Sequence, residues 1–293
     1  MRKAGRAFVF TFFAAGFFNL LIFISCSTAP KNPGDVYILR SQSEALLDTA
    51  NKDAGRGDFN NALVLLDKCK QMAILTDDMS LIIRCCLSRG NVLLALGRTD
   101  EAIAEWDFAI GEAQRIRNDE LLSASKIFKA RGNLVSNGRT VAQTVLNEVD
   151  RESKNIRDRL YLAFSWQVQG LAYRDLGNYR EAENAVKRSL EIHERDRYLE
   201  NASYDWYVIA YIRSLNNDTT GALAALDESI EIDRRIENSW GLAASWRAKG
   251  DVYRKEGNHS KANEAYNIAL RIYIEMKNDN EIAATQQRIN GEN

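Results

Sequence analysis

The sequence predicts an all-α chain assembled from repeated helical hairpins, and three observations carry that prediction. The first is proline. The 293-residue chain has two, Pro30 and Pro33, and none over residues 34–293. Proline breaks helix interiors and punctuates loops, so its absence favours long helices over a loop-rich β-fold. The second is composition. With 45% hydrophobic and 27% charged residues, the chain can bury a core and is not a disordered polymer. The third is a period of 40. Trp166, Trp206 and Trp246 are 40 residues apart, and Gly90, Gly170 and Gly250 are 80 apart. Gly57, Gly97, Gly177 and Gly257 share the grid, as do Ala62, Ala102, Ala182, Ala222 and Ala262. Several residue types on one period mark a repeat architecture.

The elements follow in order. Residues 1–6 carry three positive charges, and residues 7–25 are apolar. This is the pattern of an export signal, expected over 1–25 and outside the folded body. The run closes with Phe23-Ile24-Ser25-Cys26-Ser27. This resembles the lipobox of bacterial lipoproteins, in which a cysteine is acylated and becomes the new N-terminus. Ser25 and Cys26 match, whereas Phe23 and Ile24 depart from the usual pattern. The resemblance implies lipidation at Cys26 and a chain anchored to a membrane of the bacterial cell envelope, periplasmic or surface-facing. An uncleaved anchor stays open, because a helix over 7–25 at ~1.5 Å per residue spans roughly 28 Å, nearly a hydrocarbon core. Plain secretion stays open too. All three place the remaining chain outside the cytoplasm. Residues 26–40 are expected to be the lipidated Cys and a tether reaching at most ~45 Å at ~3.3 Å per residue. The second half of the tether can join the first helix. Residues 41–293 are expected to be the repeat domain.

The best copy of the repeat reads Trp166-x-x-Gln169-Gly170-x-x-Tyr173-x-x-x-Gly177-x-Tyr179-x-x-Ala182. The last copy holds Trp246, Gly250, Tyr253, Gly257, Ala262, Tyr266, Ala269 and Leu270. Both are similar to the tetratricopeptide repeat, with its W-x-x-L-G-x-x-Y helix, glycine turn and alanine-anchored second helix. Weaker copies start near residues 43, 83 and 203. A degenerate third copy, expected to be shifted by about two residues, carries Phe128, Gly132 and Gly138. The resemblance covers about residues 43–282. It implies a right-handed α-solenoid of about six hairpins, closed by a capping helix over Glu281 to Asn290.

Each position has a physical reason. Gly170 and Gly250 let paired helices approach closely, and Gly97, Gly177 and Gly257 can adopt the left-handed conformation that ends a helix. Asp100, Asn178 and Asn258 are suited to cap the next one. Two departures matter. Arg89, Arg131, Gln169 and Lys249 stand where the family has leucine, and the family's closing proline is absent throughout. A repeat of 40 instead of about 34 residues, with no proline to stop it, predicts helices about a turn longer.

Chemistry is sparse. No phosphate-binding loop, dinucleotide fingerprint, serine-hydrolase elbow or zinc-protease motif is present. His193 and His259 are expected in structural or solvated roles. Neither a cofactor nor a metal nor a catalytic residue is predicted. Acidic residues are plentiful but alternate with Lys and Arg, as on solvated helix faces. Cys69, Cys85 and Cys86 read as buried small hydrophobes, and a facing Cys69–Cys86 pair stays open. Lys+Arg 39 against Asp+Glu 40 leaves a net charge of -1 and no field for nucleic acid.

Binding is the function the repeat implies. In tetratricopeptide stacks the first helix of each hairpin lines a concave groove. On the 40-residue grid this places Asn51, Asn91 and Asn133 there, able to bond an extended peptide backbone. Lys126, Lys129 and Arg84 stand nearby and partly resemble a clamp for a peptide carboxylate, although Val168 and Val208 follow where that clamp is polar. Tyr204, Tyr207 and Tyr211 form one helical stripe, and Arg247, Asp251 and Arg254 follow on the next hairpin. Tyr and Arg are favoured binding anchors, while tyrosines packing on one another are the alternative. The resulting expectation is a membrane-tethered scaffold or adaptor lipoprotein, holding an envelope protein or peptide segment in its groove. Two alternatives are an accessory component of a solute transport system and a surface-exposed adhesin.

Overall fold

The computed structural model describes residues 38–291. The export signal over 1–25, Cys26 and the tether up to residue 37 therefore lie outside the described residues. Within them are thirteen α-helices, one short 3₁₀ turn (Ser153–Asn155) and no strand. The helices are α1 (Ile38–Gly55), α2 (Phe59–Leu75), α3 (Met79–Ala95), α4 (Thr99–Arg115), α5 (Asp119–Asn137), α6 (Arg139–Glu152) and α7 (Arg159–Leu176). They continue with α8 (Tyr179–Asp196), α9 (Leu199–Leu215), α10 (Thr219–Arg235), α11 (Ser239–Lys255), α12 (His259–Glu275) and α13 (Asp279–Asn290). Consecutive helices from α2 to α13 pack against each other, and Leu47 and Ala50 of α1 share one buried core with Ala62 and Leu66 of α2, giving six hairpins, α1–α2 to α11–α12, and a final single helix. This is an all-α solenoid with a C-terminal cap.

The 40-residue period resolves into two units of 20. Helix starts fall at residues 59, 79, 99, 119, 139, 159, 179, 199, 219, 239, 259 and 279. Most helices run 17 residues, leaving a three-residue turn. Apart from 139 and 159, the residue two before each of these helix starts is left-handed: Gly57, Asp77, Gly97, Arg117, Gly177, Arg197, Asn217, Glu237, Gly257 and Lys277 all have positive φ. The next amide reaches back over the turn to a carbonyl five residues earlier, as in Asp78 N–H to Ala73 O at 2.9 Å. That bond satisfies an end carbonyl of the finished helix. The same residue then starts the next helix. The side chains of Asp58, Asp78, Asn118, Asp158, Asp218, Asn238, Asn258 and Asn278 each accept from an amide of the first helical turn. Two expected caps differ. Asp100 lies inside the first turn of α4, where Arg98 holds the cap position, and Asn178 occupies its cap position without a side-chain bond.

The third hairpin also differs from expectation. Helix α5 starts at Asp119, in register with the others, and not two residues late. The irregularity comes afterwards: α5 runs on to Asn137, Gly138 makes the turn, and α6 ends early at Glu152. The buried Glu152 carboxylate holds this break together, accepting from Ser123 Oγ at 2.8 Å and Lys126 Nζ at 3.2 Å. Asp158 then restores the spacing as the cap of α7.

One side chain explains why Gly132 resembles a displaced repeat glycine. Trp106 on α4 is 0% exposed and lies between α3 and α5. A Cβ on Gly90 would come within 2.3 Å of its indole, and a Cβ on Gly132 within 2.4 Å. Both glycines are spaces for Trp106, whose Nε1–H donates to the Leu87 carbonyl at 3.3 Å. Gly170 meets Val186 and Gly250 meets Tyr266 in the same way, within their own hairpins.

Buried polar groups join neighbouring hairpins. His193 on α8 and Asp205 on α9, 1% and 0% exposed, are 2.7 Å apart, and Gln167 of α7 donates to the same carboxylate at 2.8 Å. Ser203, Ser229 and Ser245 form a hydroxyl chain across α9, α10 and α11. Asn238 donates to the buried Asp233 at 2.8 Å. Cys69, Cys85 and Cys86 are all buried and free. The thiol facing Cys69 is Cys85, whereas Cys86 turns toward Lys70 and Glu105.

The stack also coils back onto itself. The turn between α1 and α2 reaches the N-terminal ends of α9 and α11. The Phe59 ring meets the Trp240 ring edge-on at 5.3 Å, and Trp240 meets Tyr273 at 6.0 Å.

Two outcomes follow. Trp106→Ala empties a site no neighbour can refill, and should cost about 3–5 kcal/mol in denaturant unfolding. Burial raises the Asp233 carboxyl from 3.8 to about 6. The folded state therefore holds this proton more tightly than the unfolded chain. The resulting stability is complete below the unfolded value and is lost as pH rises through about 6. Thermal melts should show the wild type gaining on Asp233→Asn as pH falls from neutral toward 4; parallel profiles would contradict the shift.

Candidate protein-binding face

The hairpins have an inner and an outer layer. The first helices touch across hairpins, α3 with α5, α5 with α7 and α9 with α11, in addition to the consecutive pairs. Closer first helices put them on the inside of the curve, as the sequence predicts.

The tyrosine stripe on α9 is the most open aromatic feature of that side. Tyr204 and Tyr211 are 38% and 49% exposed. Tyr207, between them, is half-buried, and burial raises its hydroxyl pKa. Tyr204 and Tyr207 stack with centroids 6.2 Å apart. The tyrosines thus support each other and still present surface. Arg174 of α7 lies 5.5 Å from the centre of the Tyr211 ring.

The other expected residues divide. Arg247, Asp251 and Arg254 are held by the capping helix. Arg247 pairs with Glu281, Asp251 accepts from Arg288 Nε at 3.0 Å and Tyr266 Oη at 2.8 Å, and Arg254 bonds the Arg288 carbonyl. Arg254 also lies 4.9 Å from the Tyr266 ring centre. The last hairpin has no successor, so α13 takes up its inward-facing charges.

Lys129 points elsewhere. It pairs with Asp107 on α4 at 2.5 Å. The same contact recurs one and three repeats away, Arg89 with Asp67 at 2.7 Å and Lys249 with Asp227, each cation 22 residues after its acid. This ladder explains the cations at the family's leucine position: they pair with the preceding second helix. Because α5 is in register, Lys129, and not Arg131, is the member from the third hairpin. Lys126 likewise turns to Glu152.

The corrected register moves Arg131 to the inner position expected for Asn133, which lies two residues further on. Arg131 is the repeat equivalent of Asn91 and donates to its Oδ1 at 3.3 Å. Its guanidinium sits 5.9 Å from the Phe164 ring centre, and its buried Nε has no partner. Arg84 faces the Tyr161 hydroxyl across two repeats. Val168 and Val208 are buried in the core. Sequence reasoning misses Arg131 as an inner residue, and with it Phe164, Tyr161 and Arg174. The 20-residue series of Asp and Asn caps is the signal that could find them.

Among the described residues no cluster of metal-ligating side chains occurs, and no helix is long and apolar enough to cross a membrane.

A tetratricopeptide-repeat family model matches residues 170–195, spanning the end of α7 and most of α8. No curated protein sequence matches the chain. Several solved structures share its fold. A Rap protein complexed with competence and sporulation factor aligns with a TM-score of 0.58 at 13% identity, over 84% of this chain and 73% of that one. BtubC from P. vanneervenii aligns with a TM-score of 0.54 at 14% identity, over 80% and 92%. TTC0263, a thermophilic tetratricopeptide protein in Thermus thermophilus, aligns with a TM-score of 0.54 at 18% identity, over 72% and 98%. Six stacked hairpins on one period, one of them carrying a tetratricopeptide-repeat match over residues 170–195, give this chain a tetratricopeptide-type α-solenoid fold, a fold that supports protein–protein interaction.

Proposed function

We propose that the chain is a membrane-tethered scaffold whose inner face holds a segment of another protein of the bacterial cell envelope. The observation that carries the reading is the open tyrosine stripe of α9, with Tyr204 and Tyr211 38% and 49% exposed beside Arg174. Tyrosine offers a large apolar body, a hydroxyl and few rotatable bonds to freeze, which suits it to anchoring a partner. Asn91 and Arg131 extend the same side with amide and guanidinium groups able to bond a peptide backbone. The Rap structure of similar fold was obtained complexed with competence and sporulation factor, which supports a binding role for this fold.

The tether belongs to this proposal. Acylation at Cys26 would hold the stack near a bilayer, and the export signal would place it in the envelope, facing the periplasm or the surface. One acyl chain alone binds membranes only marginally, so a lipoprotein-type anchor with several chains fits a stable attachment. The reading assigns no catalytic step.

Affinity capture of the full-length protein from detergent-solubilised membranes tests it, with mass spectrometry of captured proteins and of the N-terminal peptide. The expected result is one enriched envelope protein, lost on Tyr204→Ala with Tyr211→Ala, because anchor truncations cost ~2 kcal/mol or more each. Recovery undiminished by the double substitution would contradict the site. An unmodified peptide spanning residues 1–26 would contradict cleavage and acylation at Cys26.

A further inference from the structure

The contact between the first and last hairpins has a consequence for anything that reaches the inner face. In an open solenoid the first and sixth repeats are far apart. Here the α1–α2 turn lies against α9 and α11. A Cβ on Gly55 would stand 3.8 Å from Cβ of Glu200, and a Cβ on Gly57 would meet the Trp240 ring at 2.9 Å. Glu200 and Trp240 are repeat equivalents, each the second residue of an inner helix. The turn therefore crosses the N-terminal rim of two adjacent hairpins. Phe59 adds an edge-on ring contact, and Trp240 is backed by Tyr273 from α12.

Gly57 is fitted to this place twice over. Its φ of +82°, larger than at the equivalent non-glycine turn residues, favours glycine, and its missing side chain admits the indole. Gly97, the same turn one hairpin on, has a φ of +73°, but an added Cβ there would meet nothing within 4 Å. The close approach is specific to the first turn.

From this geometry we infer that the first hairpin closes the inner face into a channel, entered along the coil axis by a linear chain with a free end and barred to a folded domain. Tyr204 lies one helical turn below Glu200 on the same stripe of α9. The seam thus closes the rim of the inner face one helical turn from the tyrosine stripe. Further in, Arg84 faces Tyr161 from two hairpins away. The inference deepens the proposed function, and rests on it for the identity of the face as a binding site. The closure itself is independent of any partner.

The seam can be locked. A disulfide needs Cβ atoms about 3.8 Å apart, the separation found between positions 55 and 200. Gly55 ends a helix with no left-handed backbone, so Gly55→Cys with Glu200→Cys should cross-link under oxidised glutathione. The readout is a mobility change on a non-reducing gel. Failure to cross-link in the folded protein would overturn the closure, whether or not a partner is ever captured.

Access is measured separately with Tyr204→Cys as the inner target and Val64→Cys, 63% exposed on the second helix of the first hairpin, as the outer control. Two maleimide probes are used, one at the end of a linear polyethylene glycol and one on a small folded domain. Linear probe should label both positions, and the folded probe should label position 64 while losing position 204. Adding Phe59→Ala, which loosens the seam, should restore folded-probe labelling at position 204. Equal labelling of the two positions by the folded probe in the unmodified seam would overturn the channel.

Discussion

The structure depends on one constraint, the constant length of its helix-plus-turn unit. Seventeen residues of helix and three of turn bring each new helix to the same height and the same rotation as the last. A left-handed residue closes the outgoing helix, and an Asp or Asn directly after it opens the next. Two neighbouring residues thus satisfy orphan carbonyls and amides at both ends of the turn. Because the unit is constant, small contacts recur at fixed intervals, and small inequalities between inner and outer layers accumulate. First helices that touch across hairpins curve the stack, and enough curvature returns the first turn to the fifth and sixth hairpins.

Alanine is the commonest buried residue of this frame, packed among Leu, Ile and Val, and a few large residues sit in spaces left by glycine. Trp106 between Gly90 and Gly132 is the clearest case. Alanine and glycine contacts alone would specify neighbours poorly, since every hairpin presents a similar surface. The buried His193–Asp205–Gln167 cluster and the Ser203–Ser229–Ser245 chain give particular hairpins a partner that other hairpins cannot offer. A misplaced pairing would leave a buried carboxylate or hydroxyl unsatisfied, at a cost of a few kcal/mol. The half-exposed cation ladder, Asp67–Arg89, Asp107–Lys129 and Asp227–Lys249, contributes less per pair and repeats too regularly to discriminate.

Much of this is legible in the sequence. The period, the number of hairpins, the lengthened helices and the capping helix follow from glycine, alanine and tryptophan spacing and from missing prolines. The site is only partly legible. Tyr204, Tyr207 and Tyr211 share a stripe because helical geometry is local and needs no knowledge of neighbours. Arg247, Asp251 and Arg254 share one as well, but α13 covers that stripe, and a contact across 34 residues or more leaves no periodic trace. Asn133 stands in for Arg131 when the third copy is aligned on Gly132, a glycine that serves a tryptophan from another hairpin. Asn118 and Asp158, the caps on either side, carry the true register. The return of the first turn to Trp240 is invisible for a further reason: it depends on the sum of all hairpin rotations, and no single residue encodes it.

The tight coil is the claim on which both the fold's closure and the access route stand. Its most direct measurement is a nuclear Overhauser experiment on deuterated protein with selectively protonated Phe, Tyr and Trp rings. Four Phe remain beyond residue 26, and assignment by Phe59→Leu and Trp240→Phe is direct. The coil predicts cross-peaks between the Phe59 ring and the Trp240 indole, whose centroids lie 5.3 Å apart. Absence of those cross-peaks, with the neighbouring Trp240–Tyr273 peaks present, would show an open stack and contradict the account.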